Sequence, residues 1–163
     1  MGCGQIYSQG AKLVNEAIAS KEIFNGSTWK ELIDYSKNTN MHFIGLLSDG
    51  NVHSHINHLL AMLEQAKKDG VKRVCVHVLL DGRDVDATSA LKYVDILENK
   101  MKELNDDTFE SLIVSGGGRM NITMDRYEAD WGMVERGWHT HVLRAGRKFN
   151  SANTEVVLNM QIW

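Results

Sequence analysis

The chain has 163 residues, 43% hydrophobic and 24% charged, with 18 Lys and Arg against 21 Asp and Glu and a formal net charge of −3. That apolar fraction can build one ordinary core, and the slight acidity excludes a dedicated nucleic-acid or anionic-membrane surface while leaving room for a small basic pocket. Neither a long apolar run nor a basic head followed by an apolar stretch is found, so no membrane span or secretory leader is expected; Cys3 and Cys75, without CxxC spacing, read as reduced thiols of an intracellular protein.

The first forty residues read as helical. Ser8 to Ser20 places Leu13, Ala17 and Ile18 at helical spacing, with Ser8 as N-cap. Thr28 and Glu31 have the spacing of a capping box, which predicts a helix over Trp29 to Lys37 with Trp29, Leu32 and Ile33 turned inward. The pattern then changes. His42 to Leu47 is a short apolar run, read as a buried strand that enters the turn Ser48-Asp49-Gly50. Val52 to Lys68 follows as a helix with Ile56, Leu59, Leu60 and Leu63 on one face, stopped by Gly70.

Val74 to Leu80 is a second buried strand, ended by Asp81-Gly82-Arg83-Asp84, and Ala87 to Leu104 a second amphipathic helix. Glu110 to Val114 is a third strand, ended by Ser115-Gly116-Gly117-Gly118-Arg119. Tyr127 to His141 should be helical, with Trp131 and Trp138 on a face packed against the sheet. Strands alternating with helices at the spacing of βαβ units predict an α/β fold, a layered αβα arrangement around a largely parallel sheet. The expected organisation is a helical lead-in over residues 1–40, an α/β domain over 41–150 and a truncated end segment over 151–163.

In an open parallel sheet, ligands collect beyond the carboxyl ends of the strands. The three turns there bring His53, then Arg83 with Asp84, then Arg119, each near a glycine; Arg126 follows in a polar connection. Guanidinium groups grip phosphate or carboxylate bidentately, and the amides of following helix N-termini would add partial positive charge. A lone surface arginine usually faces solvent, but three such turns on one sheet edge point to anion recognition.

Other constellations carry less. His53, His55 and His58 suggest metal ligands, yet only His55 and His58 share a helix face and no further ligand completes the set, so no metal site is expected. The triple glycine lacks the Gly-Lys-Ser/Thr of a nucleotide loop, and neither Ser48 nor Ser115 lies in a nucleophile elbow. Cys75, mid-strand, reads as an inert buried thiol. On the residues alone, a site on an enzyme and a non-catalytic sugar-phosphate or anion-binding module both remain open.

The segments Gly45-Leu-Leu-Ser-Asp-Gly-Asn-Val-His-Ser-His55, Leu80-Asp-Gly-Arg-Asp84 and Ser115-Gly-Gly-Gly-Arg-Met-Asn-Ile-Thr-Met-Asp-Arg-Tyr127 resemble cofactor-independent phosphoglycerate mutase, in its plant and trypanosomatid branch. The three motifs occur in family order over nearly the whole chain. The resemblance implies an isomerase that interconverts 3-phosphoglycerate and 2-phosphoglycerate in glycolysis and gluconeogenesis through a phosphoserine intermediate, in the cytoplasm, without a 2,3-bisphosphoglycerate requirement. It implies a phosphatase-like domain, related to alkaline phosphatase, that carries the serine nucleophile and two manganese ions, beside a second domain that holds the glycerate.

Carried over, the resemblance makes His53 the substrate-binding histidine and Arg83 and Asp84 the pair that contacts the glycerate. Arg119 matches the arginine after the Ser-Gly turn, and Arg126 the arginine of Met-Asp-Arg. The family's Asn-Ser-Glu-Val-Gly-His stretch, its Asp and His metal ligands and a later Arg-x-x-Arg have no counterpart in these 163 residues. The resemblance therefore implies a fragment containing the substrate-binding domain, with no catalytic residue and no metal ligand of its own, inactive alone. Its expected partners are phosphoglycerate and the missing phosphatase-like domain, with neither nucleic acid nor membrane.

Overall fold

Three runs of aliphatic residues build the sheet. In the computed structural model, which describes residues 10–152, they are β1 (Met41–Leu47), β2 (Arg73–Leu80) and β3 (Glu110–Gly118), all parallel and in the order β1-β2-β3. Parallel neighbours need crossovers, and α4 (Ile56–Lys68) and α5 (Ala90–Leu104) supply them. Before β1 lie α1 (Gly10–Ala19), α2 (Glu22–Asn25) and α3 (Ser27–Ser36); α6 (Trp131–His141) follows β3.

Both crossovers pack on one face of the sheet. Val74, Val76 and Val78 of β2 meet Leu63 and Ala66 of α4 and Val94, Leu97 and Met101 of α5 in a single core, which Phe24, Trp29 and Ile33 of the lead-in helices join. The alternate residues of β2 face the other way, where α6 closes the second side, giving the layered α/β arrangement that the periodicity predicts. Gly70, at φ +87°, ends α4: its N–H donates to the Lys67 carbonyl at 3.1 Å and that of Val71 to the Ala66 carbonyl at 3.0 Å, taking up carbonyls the helix leaves free.

Several expectations need correction. α3 begins at Ser27, so Thr28 sits inside the first turn and forms no capping box; Gly26, extended at φ −65° and ψ 151°, precedes the helix without a side-chain cap. Trp29 and Ile33 are buried, with the Trp29 indole N–H donating to Asp69 at 2.7 Å, but Leu32 lies on the exposed face. β1 is an edge strand, which leaves Ile44 open to solvent instead of buried. Helices α4, α5 and α6 each start three or four residues later than the apolar pattern suggests, because the preceding polar residues are spent in turns and caps. Trp131 and Trp138 are exposed on α6 and do not pack against the sheet. The Ser8 cap, Cys3 and most of the end segment lie outside the described residues.

The largest correction concerns the triple glycine. It is not a turn: β3 continues through Gly118, in register with Leu80. These glycines are needed for close approach, since a Cβ on Gly116 would stand 2.6 Å from Val78 Cγ2 and 2.9 Å from the Val78 carbonyl oxygen. Gly116→Ala should therefore destabilise the chain by about 1–3 kcal/mol in urea unfolding, whereas Gly45→Ala, with no atom within 4 Å of the added carbon, should leave stability within about 0.5 kcal/mol.

Candidate functional site

The carboxyl ends of the three strands meet at one buried carboxylate. Asp81, directly after β2, accepts the Ser48 hydroxyl at 2.6 Å, the backbone N–H groups of Arg83 and Asp84 at 3.1 Å each, and Arg119 Nη1 at 2.9 Å. Ser48 follows β1 and Arg119 follows β3, so these bonds tie all three strand ends together. Arg119 Nη1 also donates to Asp84 Oδ2 at 2.7 Å, and the same carboxylate oxygen stands 3.9 Å from His53 Nε2. Burial opposes ionisation of Asp81, but its hydrogen bonds from Ser48, Asp84 N–H, Arg119 and Arg83 N–H outweigh that and hold its pKa at about 2. Arg119 is likewise opposed by burial, yet Asp84 and Asp81 push its pKa above the ordinary value.

The first turn is shaped to reach this cluster. Ser54 Oγ donates to the Leu46 carbonyl at 2.6 Å and Ile56 N–H to the Ser48 carbonyl at 2.8 Å, folding the segment back over its own strand. A Cβ on Gly50 would fall 2.9 Å from Asp84 Cβ, so only glycine lets the two turns touch. Asp49 accepts the Tyr93 hydroxyl at 2.5 Å and Lys92 Nζ at 3.3 Å, fastening the same turn to α5.

Of the residues singled out by sequence, the structure joins His53, Asp84 and Arg119. Arg83 contributes its backbone N–H to Asp81, and its side chain is exposed. Arg126 is not part of this group: its guanidinium lies 4.7 Å from the Tyr127 ring centroid and donates to the Tyr127 hydroxyl at 2.9 Å, both on the surface. Ser48, 2% exposed and donating to Asp81, is a structural hydroxyl. His55 caps α4 by accepting the Asn57 N–H at 3.1 Å, and His58 bonds Asn15 of α1 at 2.6 Å, so these two rings serve the fold. A cleft of about 240 Å³ near these histidines is lined mainly by apolar side chains, among them Val14, Ile18, Phe43 and Met62, and includes neither Arg83 nor Arg119.

Comparison with known proteins decides the family. The family described as BPG-independent PGAM N-terminus matches residues 14–161. The chain belongs to that family. It is similar to a probable 2,3-bisphosphoglycerate-independent phosphoglycerate mutase of Leptospira interrogans, at 53% identity over 96% of this chain and 29% of the relative. The 2,3-bisphosphoglycerate-independent phosphoglycerate mutase of Trypanosoma brucei brucei is 47% identical over 93% of this chain and 28% of its own length. Among solved structures, Leishmania mexicana phosphoglycerate mutase at low cobalt concentration superposes with a TM-score of 0.93, at 44% identity, over 99% of this chain and 30% of that one. The chain thus spans somewhat under a third of the relatives it matches, and this part of the phosphoglycerate mutase family is an N-terminal α/β unit.

No group of three or more His, Cys, Asp or Glu side chains among the described residues is placed to hold a metal ion, and Asp81 and Asp84 are already engaged by Arg119. The described residues therefore do not fit a manganese centre. Among the described residues, no helix is long and apolar enough to cross a membrane. Cys75 is buried and free, and burial pushes its thiol pKa up, as expected of an inert side chain.

A second polar constellation went unnoticed in the sequence. On the sheet face covered by α6, His42 Nδ1 and His77 Nε2 are 3.0 Å apart, His77 Nδ1 is 2.6 Å from Ser115 Oγ, Ser115 Oγ is 2.7 Å from His141 Nδ1, and His141 Nε2 is 3.0 Å from Thr123 Oγ1. Neutral rings satisfy every link with one proton each. The only sequence signal is that His42 and His77 fall on outward-alternating strand positions. Burial first, then the neighbouring His141 and His42, lower the His77 pKa from 6.5 to about 4. The unfolded chain thus takes up a proton near pH 6.5 that the folded chain refuses until about 4, so stability is lost as pH falls through that window. Asp81, lowered from 3.8 to about 2, loses its contribution only at more acidic pH. The unfolding free energy from urea titrations should therefore fall between about pH 7 and pH 4.5, by up to roughly 3 kcal/mol, and His77→Gln should flatten that dependence; an unchanged slope would show that His77 is not the group responsible.

Proposed function

We propose that this chain is the substrate-binding part of a phosphoglycerate mutase that interconverts 3-phosphoglycerate and 2-phosphoglycerate through a phosphoserine intermediate. The observation that carries this reading is the meeting of His53, Asp84 and Arg119 at the carboxyl ends of three parallel strands, with Arg83, exposed, next to Asp84 in the same turn. Residues 41–150 form the substrate-binding domain on this reading, residues 1–40 lead in from a phosphatase-like domain, and residues 151–163 follow on.

The proposed division of labour rests on the chemistry of each group. Arg83 and Arg119 offer N–H donors to the phosphate and carboxylate of the substrate, a task for which planar guanidinium forks are suited. Asp84 accepts from a glycerate hydroxyl, and His53 donates to a phosphoryl oxygen from the facing turn. Arg126, which packs on the exposed Tyr127 ring, would have to leave that ring to reach the same ligand. The serine nucleophile and two manganese ions belong, in this proposal, to the phosphatase-like domain; no step through a metal is assigned to the residues described. A glycolytic substrate of this kind places the protein in the cytoplasm.

The reading is tested by titrating the 163-residue chain with 3-phosphoglycerate and following backbone amide shifts. Signals of His53, Arg83, Asp84 and Arg119 should move together, and Arg83→Ala should weaken binding about tenfold or more, the loss of one charge-assisted contact. The chain alone, with manganese added, should show no mutase turnover. Shifts confined to other regions would sink the assignment of the site, measurable turnover would overturn the proposed division of labour, and binding as tight as that of a complete enzyme would favour a non-catalytic phosphate-binding module.

A further inference from the structure

We infer that Asp81 is a positioning residue: without touching the substrate, it fixes the Arg119 guanidinium and the Arg83–Asp84 backbone in the geometry that binds phosphoglycerate. The inference rests on the reading of the site given above and deepens it. Its ground is the number and origin of the groups that Asp81 holds. Oδ2 receives Ser48 Oγ from the end of β1. Oδ1 receives Arg119 Nη1 from the end of β3 and the two backbone N–H groups of its own turn. The side chain is 1% exposed, so no ligand in solvent can reach it directly.

Asp84 cannot perform this task alone. Its carboxylate is itself carried by the turn that Asp81 braces, and one of its oxygens faces both Arg119 and His53. An arginine held at a single terminal nitrogen by one partly buried carboxylate could pivot about that contact. A second carboxylate on the same Nη1 from the buried side removes the freedom. Ser48 extends the brace to the first turn, because its Oγ also lies 3.3 Å from the Gly50 N–H, next to the segment that presents His53. Ser48 and Asp81 thus form a buried pair behind the groups that would meet the ligand, Arg119 among them. Asp81→Asn keeps the shape but removes the charge: with its carbonyl oxygen toward Arg119 and the backbone N–H groups and its N–H₂ toward Ser48, Arg119 keeps only a neutral acceptor and the Ser48 hydroxyl loses the acceptor for its own proton.

The test uses the full 163-residue chain, with 3-phosphoglycerate as ligand and two ligand-independent readouts, the Arg119 side-chain resonances and amide hydrogen exchange over residues 81–84. In the parent chain the Arg119 Nη protons should be resolved and slowly exchanging. Asp81→Asn should average those signals, speed exchange at Arg83 and Asp84 at least tenfold, and raise the Kd for 3-phosphoglycerate at least tenfold in samples shown to be folded by circular dichroism. Arg83→Ala should weaken binding yet leave the Arg119 signals and the turn exchange unchanged, separating a contacting residue from a positioning one. Ser48→Ala, which removes one donor and leaves the carboxylate, should move the same readouts in the same direction by a smaller factor, and carries the test if Asp81→Asn does not fold. An Arg119 that stays ordered, or an affinity within twofold of the parent in the folded variant, overturns the inference. If the parent chain itself fails to bind 3-phosphoglycerate, the phosphoglycerate reading falls, and the Arg119 and exchange readouts then decide the role of Asp81 by themselves.

Discussion

A carboxylate removed from water must recover its lost hydration from protein donors, and Asp81 does so from every strand end of the sheet. Left unpaired at 1% exposure, it would cost several kcal/mol. Ser48, Arg119 and the two amides after Gly82 offset that cost, so the demand for satisfaction is also what draws three separate turns together. The positions of His53 and Asp84 follow, one turn resting on the other through Gly50. The sheet brings the ends near one another; the carboxylate sets their mutual geometry.

The sheet accommodates this arrangement by economy of side chains. β3 runs straight past the end of the apolar segment to Gly118 because Gly116 lies against the Val78 side chain and Gly117 against Ile122. With larger residues there, β3 would have to separate from β2 and Arg119 would leave the reach of Asp81. On the opposite register positions, His77 and Ser115 use the same proximity to build a polar chain to α6. One face of β2 is thus aliphatic and packs conventionally, while the other holds the buried His77 imidazole, whose charging burial opposes.

The sequence made the βαβ order, the crossover helices and the sheet edge that carries His53, Asp84 and Arg119 legible because each depends on local periodicity or on residues within one turn. Gly70 was readable as a helix stop for the same reason. What escaped depends on contacts distant in the chain. Asp81 looks like any aspartate opening a Gly turn, and its partnership with Ser48 and Arg119 exists only once three strands align. The triple glycine suggested a loop because close packing and chain reversal favour the same residue. Trp131 and Trp138 at heptad spacing suggest a buried stripe, but α6 meets the sheet through His141, and Gly137 lies against Thr123, leaving both indoles outside. Arg126 lies near Arg119 in sequence, but the chain turns between them at Thr123, at positive φ, and Arg126 packs on Tyr127.

Charge arithmetic explains why composition gave no hint of the site. The formal charges of Asp81 and Asp84 cancel those of Arg83 and Arg119, so the cluster adds nothing to the net charge of −3 and creates no basic surface. Arg119 tolerates 6% exposure because it is compensated where it stands. Long-range attraction therefore contributes little to recognition in a site built this way, and discrimination falls to where the N–H donors point. Directed donors are useful only if they are held still, which is why the part of the cluster least accessible to a ligand governs how the accessible part can act.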